Sequence, residues 1–258
     1  MSSRIIALAL DHVVKRTTVL RVLRASKFAS YIKRKPTPHL KKHHKAKRIP
    51  FAKKHLNKVE FWERVLFTDE NKFNLDGPGG CQYYWHVILK DPETYSRRGM
   101  RGGSVLVWAG VCQNGKTKIA FLEGKQTAVK YTQTILNYLC LFLQELQDNH
   151  GIREPIFQQD GASIHTAKST QTFLSIHNIK ILEWPAKSPD LNIIESVWGD
   201  PARSVYAGGR QFTCREDLTK QIEVSWRQVS VGYLKRLVED MPTRIAKVII
   251  RGGAGIDR

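Results

Sequence analysis

Asp160 and Glu195 stand with 34 residues between them in a stretch that opens FQQDGASIH and closes WPAKSPDLNIIESVW. A third acid, Asp69, closes the apolar run RVLFTD far upstream. Three carboxylates brought within a few ångströms repel one another, and proteins tolerate that arrangement when hard cations compensate it. Two Mg2+ ions in such a cage, or Mn2+ in their place, would activate a water or a 3′-hydroxyl on one side of a phosphodiester. They would also stabilise the leaving oxygen on the other. The chemistry expected of Asp69, Asp160 and Glu195, as metal ligands and catalytic residues together, is the cutting and joining of DNA strands. Any three acids can be picked out of a chain this long, so the trio counts only if secondary structure delivers it to one place.

The elements that must do so are legible from period and punctuation. Val65–Thr68 reads as a short strand with Asp69 at its C-terminal end. Glu70 beside it points to the other face of an extended strand and is left out of the ligand set. Ser104–Cys112 and Lys118–Leu122 read as strands joined through Asn114-Gly115, a strong hairpin signal. Val129–Asp148 carries Tyr131, Ile135, Leu139, Phe142 and Leu146 on one helical stripe, and Gly151 ends it. Ile156–Gln159 is a strand leading to Asp160. His165, five residues on, either faces the site or serves as a hydrogen-bonded helix-entry residue. A helix over 167–176 and a strand over 179–182 follow. Ser188 with Pro189 reads as a capped helix start, placing Leu191, Ile194, Val197 and Trp198 inward and Glu195 at the edge of the stripe. Strands alternating with helices predict an α/β layer fold with a mixed sheet. Trp108, Trp184 and Trp198 read as core or sheet-covering aromatics, and Lys187 as a residue within reach of a phosphate.

Charge separates the chain into two parts. Residues 1–59 hold seventeen Lys or Arg against the single Asp11, which is +16 of the total +19. Such asymmetry suits a basic module that meets a polyanion, joined to a nearly neutral body. In KRTTVLRVLRAS, Val19, Val22 and Leu23 are expected inward, with Arg16, Arg21 and Arg24 outward against DNA. An ordinary solvated helix would read the same way. Residues 33–58 carry eleven basic residues and no acid. Like charges repel, so an extended linker is expected there, with Lys33, Arg34, Lys35, Lys41 and Lys42 tracking a DNA backbone or serving in nuclear import. His39, His43, His44 and His55 lack a neighbouring cysteine or carboxylate to complete a metal site. No apolar run reaches about 18 residues and no signal-peptide pattern opens the chain, which argues against a membrane partner. The four scattered cysteines form no CxxC pair and fit a reducing, intracellular compartment.

FTDENKFNLDGPGG, GGSVLVWAG, FQQDGASIH and WPAKSPDLNIIESVWG together resemble the transposases of the Tc and mariner superfamily, its nematode-type Tc branch above all. The resemblance covers nearly the whole chain and includes that branch's spacing between the second and third acids. It implies an RNase H-like catalytic domain over 61–258 whose Asp, Asp, Glu triad is Asp69, Asp160 and Glu195. It also implies cleavage at terminal inverted repeats with Mg2+, joining of the 3′ ends to a TA dinucleotide, action as a homodimer, and work in the nucleus. By the same likeness residues 1–30 are the remnant of a helix-turn-helix, 31–60 are a basic linker, and residues 75–100 sit where relatives insert a loop that contacts a partner subunit.

The chain departs from the family pattern in places. Gly161, Ile193 and Ser196 stand where relatives have Asn, Pro and Asn. Pro201 should end or kink the catalytic helix near Gly199, because it withdraws an amide and clashes with the preceding turn. Met241-Pro242 should interrupt a C-terminal helix in the same way. Against the family pattern the first helix-turn-helix and the start of the second are missing, so an N-terminally truncated or decaying copy, or a reading frame that begins late, is expected. These departures keep a second expectation alongside the first, a transposase-derived DNA-binding protein without productive transposition.

Overall fold

The computed structural model describes residues 14–25, 40–77 and 103–256. The chain divides into two compact units, residues 1–37 and 38–258. Within the first, Arg16–Ala25 forms helix α1. Val19 is buried, whereas Val22 is exposed, so the apolar stripe is narrower than its period predicts. Arg21 and Arg24 are exposed, Arg16 opens the helix, and Lys33, Arg34 and Lys35 lie outside the described residues.

The second unit begins with a departure from expectation. From Lys42 onward the basic stretch is not extended: Lys42–His55 is helix α2, and Arg48, Phe51, Ala52 and His55 form a buried face. Pro50 inside this helix costs roughly 3 kcal/mol. Burial of Phe51, at about 1.5–3 kcal/mol for a large apolar side chain, offsets much of that. The opposite face carries Lys42, Lys47, Lys53 and Lys54 in solvent, where water screens their repulsion. Lys41, just ahead of the helix, donates its backbone N–H to His44 Nδ1 at 3.1 Å. Helix α2 packs against the C-terminal helix α12 (Met241–Ile250), so these residues belong to the body of the fold.

Helix α3 (Val59–Glu63) leads into strand β1 (Val65–Asn74). Strands β2 (Ser104–Cys112), β3 (Gly115–Lys116) and β4 (Ala120–Leu122) follow, and the hairpin falls where Asn114-Gly115 predicts it, with Cys112 paired to Gly115. The long helix is built in three parts: α4 (Ala128–Thr134), a π-helical segment (Ile135–Cys140) and α5 (Leu141–His150). Gly151, at φ 62°, ends it. Strand β5 (Ile156–Gln158), helices α6 (Ser163–Thr166) and α7 (Lys168–Ile176), and strand β6 (Lys180–Ile181) complete the sheet. Short helices α8 (Ile194–Val197) and α9 (Gly199–Val205) precede α10 (Arg215–Arg227), α11 (Val231–Glu239) and α12. Pro201 lies in the first turn of α9, after a break at Trp198, and Pro242 in the first turn of α12. Both prolines therefore sit at helix starts, where an amide has no intrahelical partner to lose.

Among the described residues the sheet runs β3-β2-β1-β5-β6, with β4 also on β2. Strand β1 is antiparallel to β2 and parallel to β5, so the sheet is mixed. Side-chain alternation along β1 sorts the two layers. Val65, Phe67 and Phe73 face the core built with Leu191, Ile194, Val197 and α10 to α12. Leu66 faces the other core, with Tyr131, Ile135, Leu139 and Leu174. No helix among the described residues is long and apolar enough to cross a membrane.

Candidate active site

Register brings the first two acids together. Strands β1 and β5 pair in parallel through Val65 with Ile156 and Phe67 with Gln158. Two residues further along both chains, past the last pair, Asp69 and Asp160 come to the same end of the two strands and line one cleft. Strand β1 does not stop at Asp69, as the sequence predicts, but continues to Asn74 because β2 still pairs with it. What ends near Asp69 is the pairing with β5. Thr68 seals this point: its backbone N–H donates to Gln158 Oε1 at 3.1 Å and its hydroxyl to the Gln158 carbonyl at 2.8 Å.

Glu195 arrives from the layer that Asp69 faces. Residues 188–193 form turns, not a helix, so Ser188 and Pro189 do not start one. The Ser188 hydroxyl instead accepts from Arg48 Nη1 at 2.6 Å. Asn192 takes the capping part, with its Oδ1 accepting from the Ile194 N–H at 3.3 Å. Its Nδ2 donates to the Thr68 carbonyl at 3.0 Å, pinning the start of α8 to β1 one residue before Asp69. Arg48 anchors the same loop from below through a forked pair to Asp190, Nη1 to Oδ1 at 2.8 Å and Nη2 to Oδ2 at 2.6 Å. Gln158, Asn192 and Arg48 carry no motif that marks them in the sequence. Asn two residues before an apolar helical run was the one available signal.

Asp69, Asp160 and Glu195 line a single cleft of about 600 Å³, together with Gln158, Trp184, Lys187 and Asn192. Lys187 stands there with φ 56°, a left-handed backbone rare for a side chain of its size. Trp108 and Trp198 are buried as predicted, while Trp184 is partly buried and faces the cleft.

The two aspartates differ electrostatically. Burial, then the charges of Glu195 and Glu70, push the Asp69 carboxyl up to about 8. The bond from His165 holds Asp160 below the ordinary carboxylate range. Its Oδ1 lies 2.6 Å from His165 Nδ1 and accepts from the Ala162 N–H at 2.9 Å. Burial alone would lower His165, but its bond to Asp160 and the nearby charge of Glu70 outweigh that and raise it to about 9. Glu70 faces away from Asp69's layer, as alternation requires, and its Oε1 stands 3.4 Å from His165 Nε2 without hydrogen-bond alignment. Among the described residues no three His, Cys, Asp or Glu side chains stand close enough together to hold a metal ion as they are placed. The donor set nevertheless fits a hard divalent cation: all three groups offer oxygen, and a cation would offset the burial and neighbouring charge that raise the Asp69 carboxyl.

Residues 64–219 match the family model described as DDE superfamily endonuclease. The Tc3 transposase of Caenorhabditis elegans is 37% identical over 242 residues, spanning 94% of this chain and 72% of that protein. The chain belongs to the Tc/mariner transposases. A second family model, described as Transposase, matches residues 1–57. The Tc1 transposase of Caenorhabditis elegans is 28% identical over 233 residues, covering 85% of this transposase and 81% of the relative. Among solved structures, the Mos1 transposase paired-end complex with left transposon end superposes with a TM-score of 0.79 at 21% identity. It spans all of this chain and 76% of the other. The Mos1 paired-end complex with Mg gives 0.79 at 20% identity. The RNase H-like fold of this transposase follows from that likeness.

Proposed function

We propose that this transposase cuts DNA at the terminal inverted repeats of its element and joins the freed 3′ ends to TA sites, using Asp69, Asp160 and Glu195. The observation that carries the reading is the convergence of three carboxylates from three separate elements on one cleft. These residues would hold two Mg2+ ions, or Mn2+, which when bound neutralise charge at the phosphate and activate the attacking oxygen. The relative Mos1 was solved with Mg and with Mn, which supports the choice of ion.

The chain's own residues divide the remaining work. Thr68, Gln158 and Asn192 fix the strand ends and the α8 start, so the carboxylates need little rearrangement to meet a scissile phosphate. Lys187 brings a positive charge to the cleft wall, suited to a non-bridging phosphate oxygen. In the first step a water oxygen bonds to phosphorus and the 3′-oxygen leaves with a proton. In the second that 3′-hydroxyl attacks a target phosphate, giving up its proton, and displaces another 3′-oxygen, which leaves with a proton as a new 3′-hydroxyl.

Arg16, Arg21, Arg24, Lys33, Arg34, Lys35, Lys41 and Lys42 supply phosphate contacts along the arriving DNA, and the protein works as a homodimer in the nucleus. The basic composition of residues 1–59 supports both the DNA contacts and import. Incubating the purified chain with Mg2+ or Mn2+ and a supercoiled plasmid bearing the element's ends tests the reading. Wild type should nick at the ends, and Asp160→Ala should not. Equal background nicking by both would refute it.

A further inference from the structure

Beneath the three carboxylates lies a set of polar groups that the cleft does not expose. His165 is 3% exposed and sits between two acids, with Nδ1 2.6 Å from Asp160 Oδ1 and Nε2 3.4 Å from Glu70 Oε1. Its ring packs on that of Tyr131, centroids 4.2 Å apart. Tyr131 is itself fixed, since its hydroxyl donates to Gln159 Oε1 at 2.8 Å. The backbone on either side is tied as well, with Gln171 Nε2 donating to the His165 carbonyl at 2.7 Å. Asp160, by contrast, stands on a loop and its side chain is 58% exposed. Nothing in its own strand holds its rotamer, because β5 ends at Gln158.

We propose that His165 is the positioning residue of the metal site: it fixes the Asp160 carboxylate by its Oδ1 and is itself set by Glu70 and Tyr131. An ionised carboxylate has only acceptors, so the short contact makes Nδ1 the donor. The bonds to Asp160 from His165 and from the Ala162 N–H both end on Oδ1. Among the described residues none ends on Oδ2, which keeps that oxygen for an ion. Glu70, although it faces away from Asp69, lies 3.4 Å from the far nitrogen, where its charge favours the ring direction that turns Nδ1 to Asp160. Partners of this kind, one shell behind a ligand, characteristically change metal affinity about 10–100-fold when removed.

The inference rests on the metal reading above, and its test separates the two. Mn2+ binding to the purified chain is followed by the loss of the free-ion paramagnetic signal, with no turnover required. His165→Phe keeps the ring packing on Tyr131 and removes the donor. His165→Asn keeps a donor near the position of Nδ1 in a smaller side chain. With wild type binding Mn2+ and Asp160→Asn not binding, the Phe variant should weaken affinity about 10–100-fold, and the Asn variant should recover most of it. Circular dichroism and thermal melting check that each variant is folded. Unchanged affinity in the Phe variant overturns the positioning role and leaves the metal site standing. Equal losses in both variants also overturn it, since the ring's packing would then be what matters. If wild type binds Mn2+ no better than Asp160→Asn, the metal reading fails and the positioning role falls with it.

Discussion

Arg48→Met keeps the length and apolar stem of a side chain that is wholly buried, and removes its charge. Asp190, 6% exposed, would then lose both prongs of the guanidinium fork and keep the Ile256 N–H, which donates to its Oδ2 at 2.9 Å. Ser188 would lose a partner as well. Stranding one member of a buried ion pair costs about 3–5 kcal/mol, whereas replacing both members with apolar groups is close to neutral. For a body of this size each kcal/mol moves the melting temperature by roughly 2–4 °C, so a fall of about 6–20 °C is expected. Asp190→Leu alone should do comparable harm by stranding the arginine, and the double variant should melt nearer to wild type than the sum of the two. Chemical denaturation of all four proteins closes the cycle. If Arg48→Met unfolds within about 1 kcal/mol of wild type, or if the two changes add, the clamp is not what joins α2 to the cleft loop and the reasoning is wrong.

Other perturbations follow from the same geometry. The Asp69 carboxyl is raised to about 8, so the folded chain keeps a proton that the unfolded chain releases near pH 4. Metal-free stability should therefore fall as pH rises through that window, and metal uptake at pH 7 should release about one proton. Calorimetry in buffers of different ionisation enthalpy measures that proton, and none released would contradict the raised carboxyl. Gly253, at φ 79°, would place an added Cβ 2.4 Å from the Lys45 carbonyl oxygen. Gly253→Ala should cost about 2–6 kcal/mol by backbone strain and overpacking, read as an earlier denaturation midpoint. Asn192→Ala leaves the buried Thr68 carbonyl without its side-chain donor, at about 1–3 kcal/mol. It should also weaken Mn2+ binding by loosening Glu195 from β1, and a stability loss with unchanged affinity would show that Asn192 only caps α8.

The fold and the three acids were legible because they depend on local signals. Alternation in RVLFTD set Asp69 and Glu70 on opposite faces, and β1 keeps them there. The apolar stripe through Leu191, Ile194 and Val197 foretold the face of α8 that meets the core, with Glu195 at its edge. What escaped depends on distant partners. Arg48 looked like one more charge in a basic run, and its place in a buried stripe with Phe51, Ala52 and His55 was masked by the lysines around it. Its partners are 140 and 142 residues away, beyond any periodicity argument. Ser188-Pro189 had the chemistry of a helix start, yet the hydroxyl was engaged by that same arginine. The π segment at Ile135–Cys140 was invisible because its stripe spacing of three and four residues is also what an α-helix would show.

The parallel register of β1 and β5 sets limits on how the gene for this protein can change length. Asp69 and Asp160 each lie four residues beyond a paired position, Val65 and Ile156. A single-codon insertion between Val65 and Asp69 would shift the first acid out of step with the second and turn it to the opposite layer. A deletion there would swing Glu70 to the cleft face in its place, so that the lineage would retain a carboxylate at the site while losing the one that His165 leaves unengaged. Substitution can drift along this strand, but its frame of two cannot.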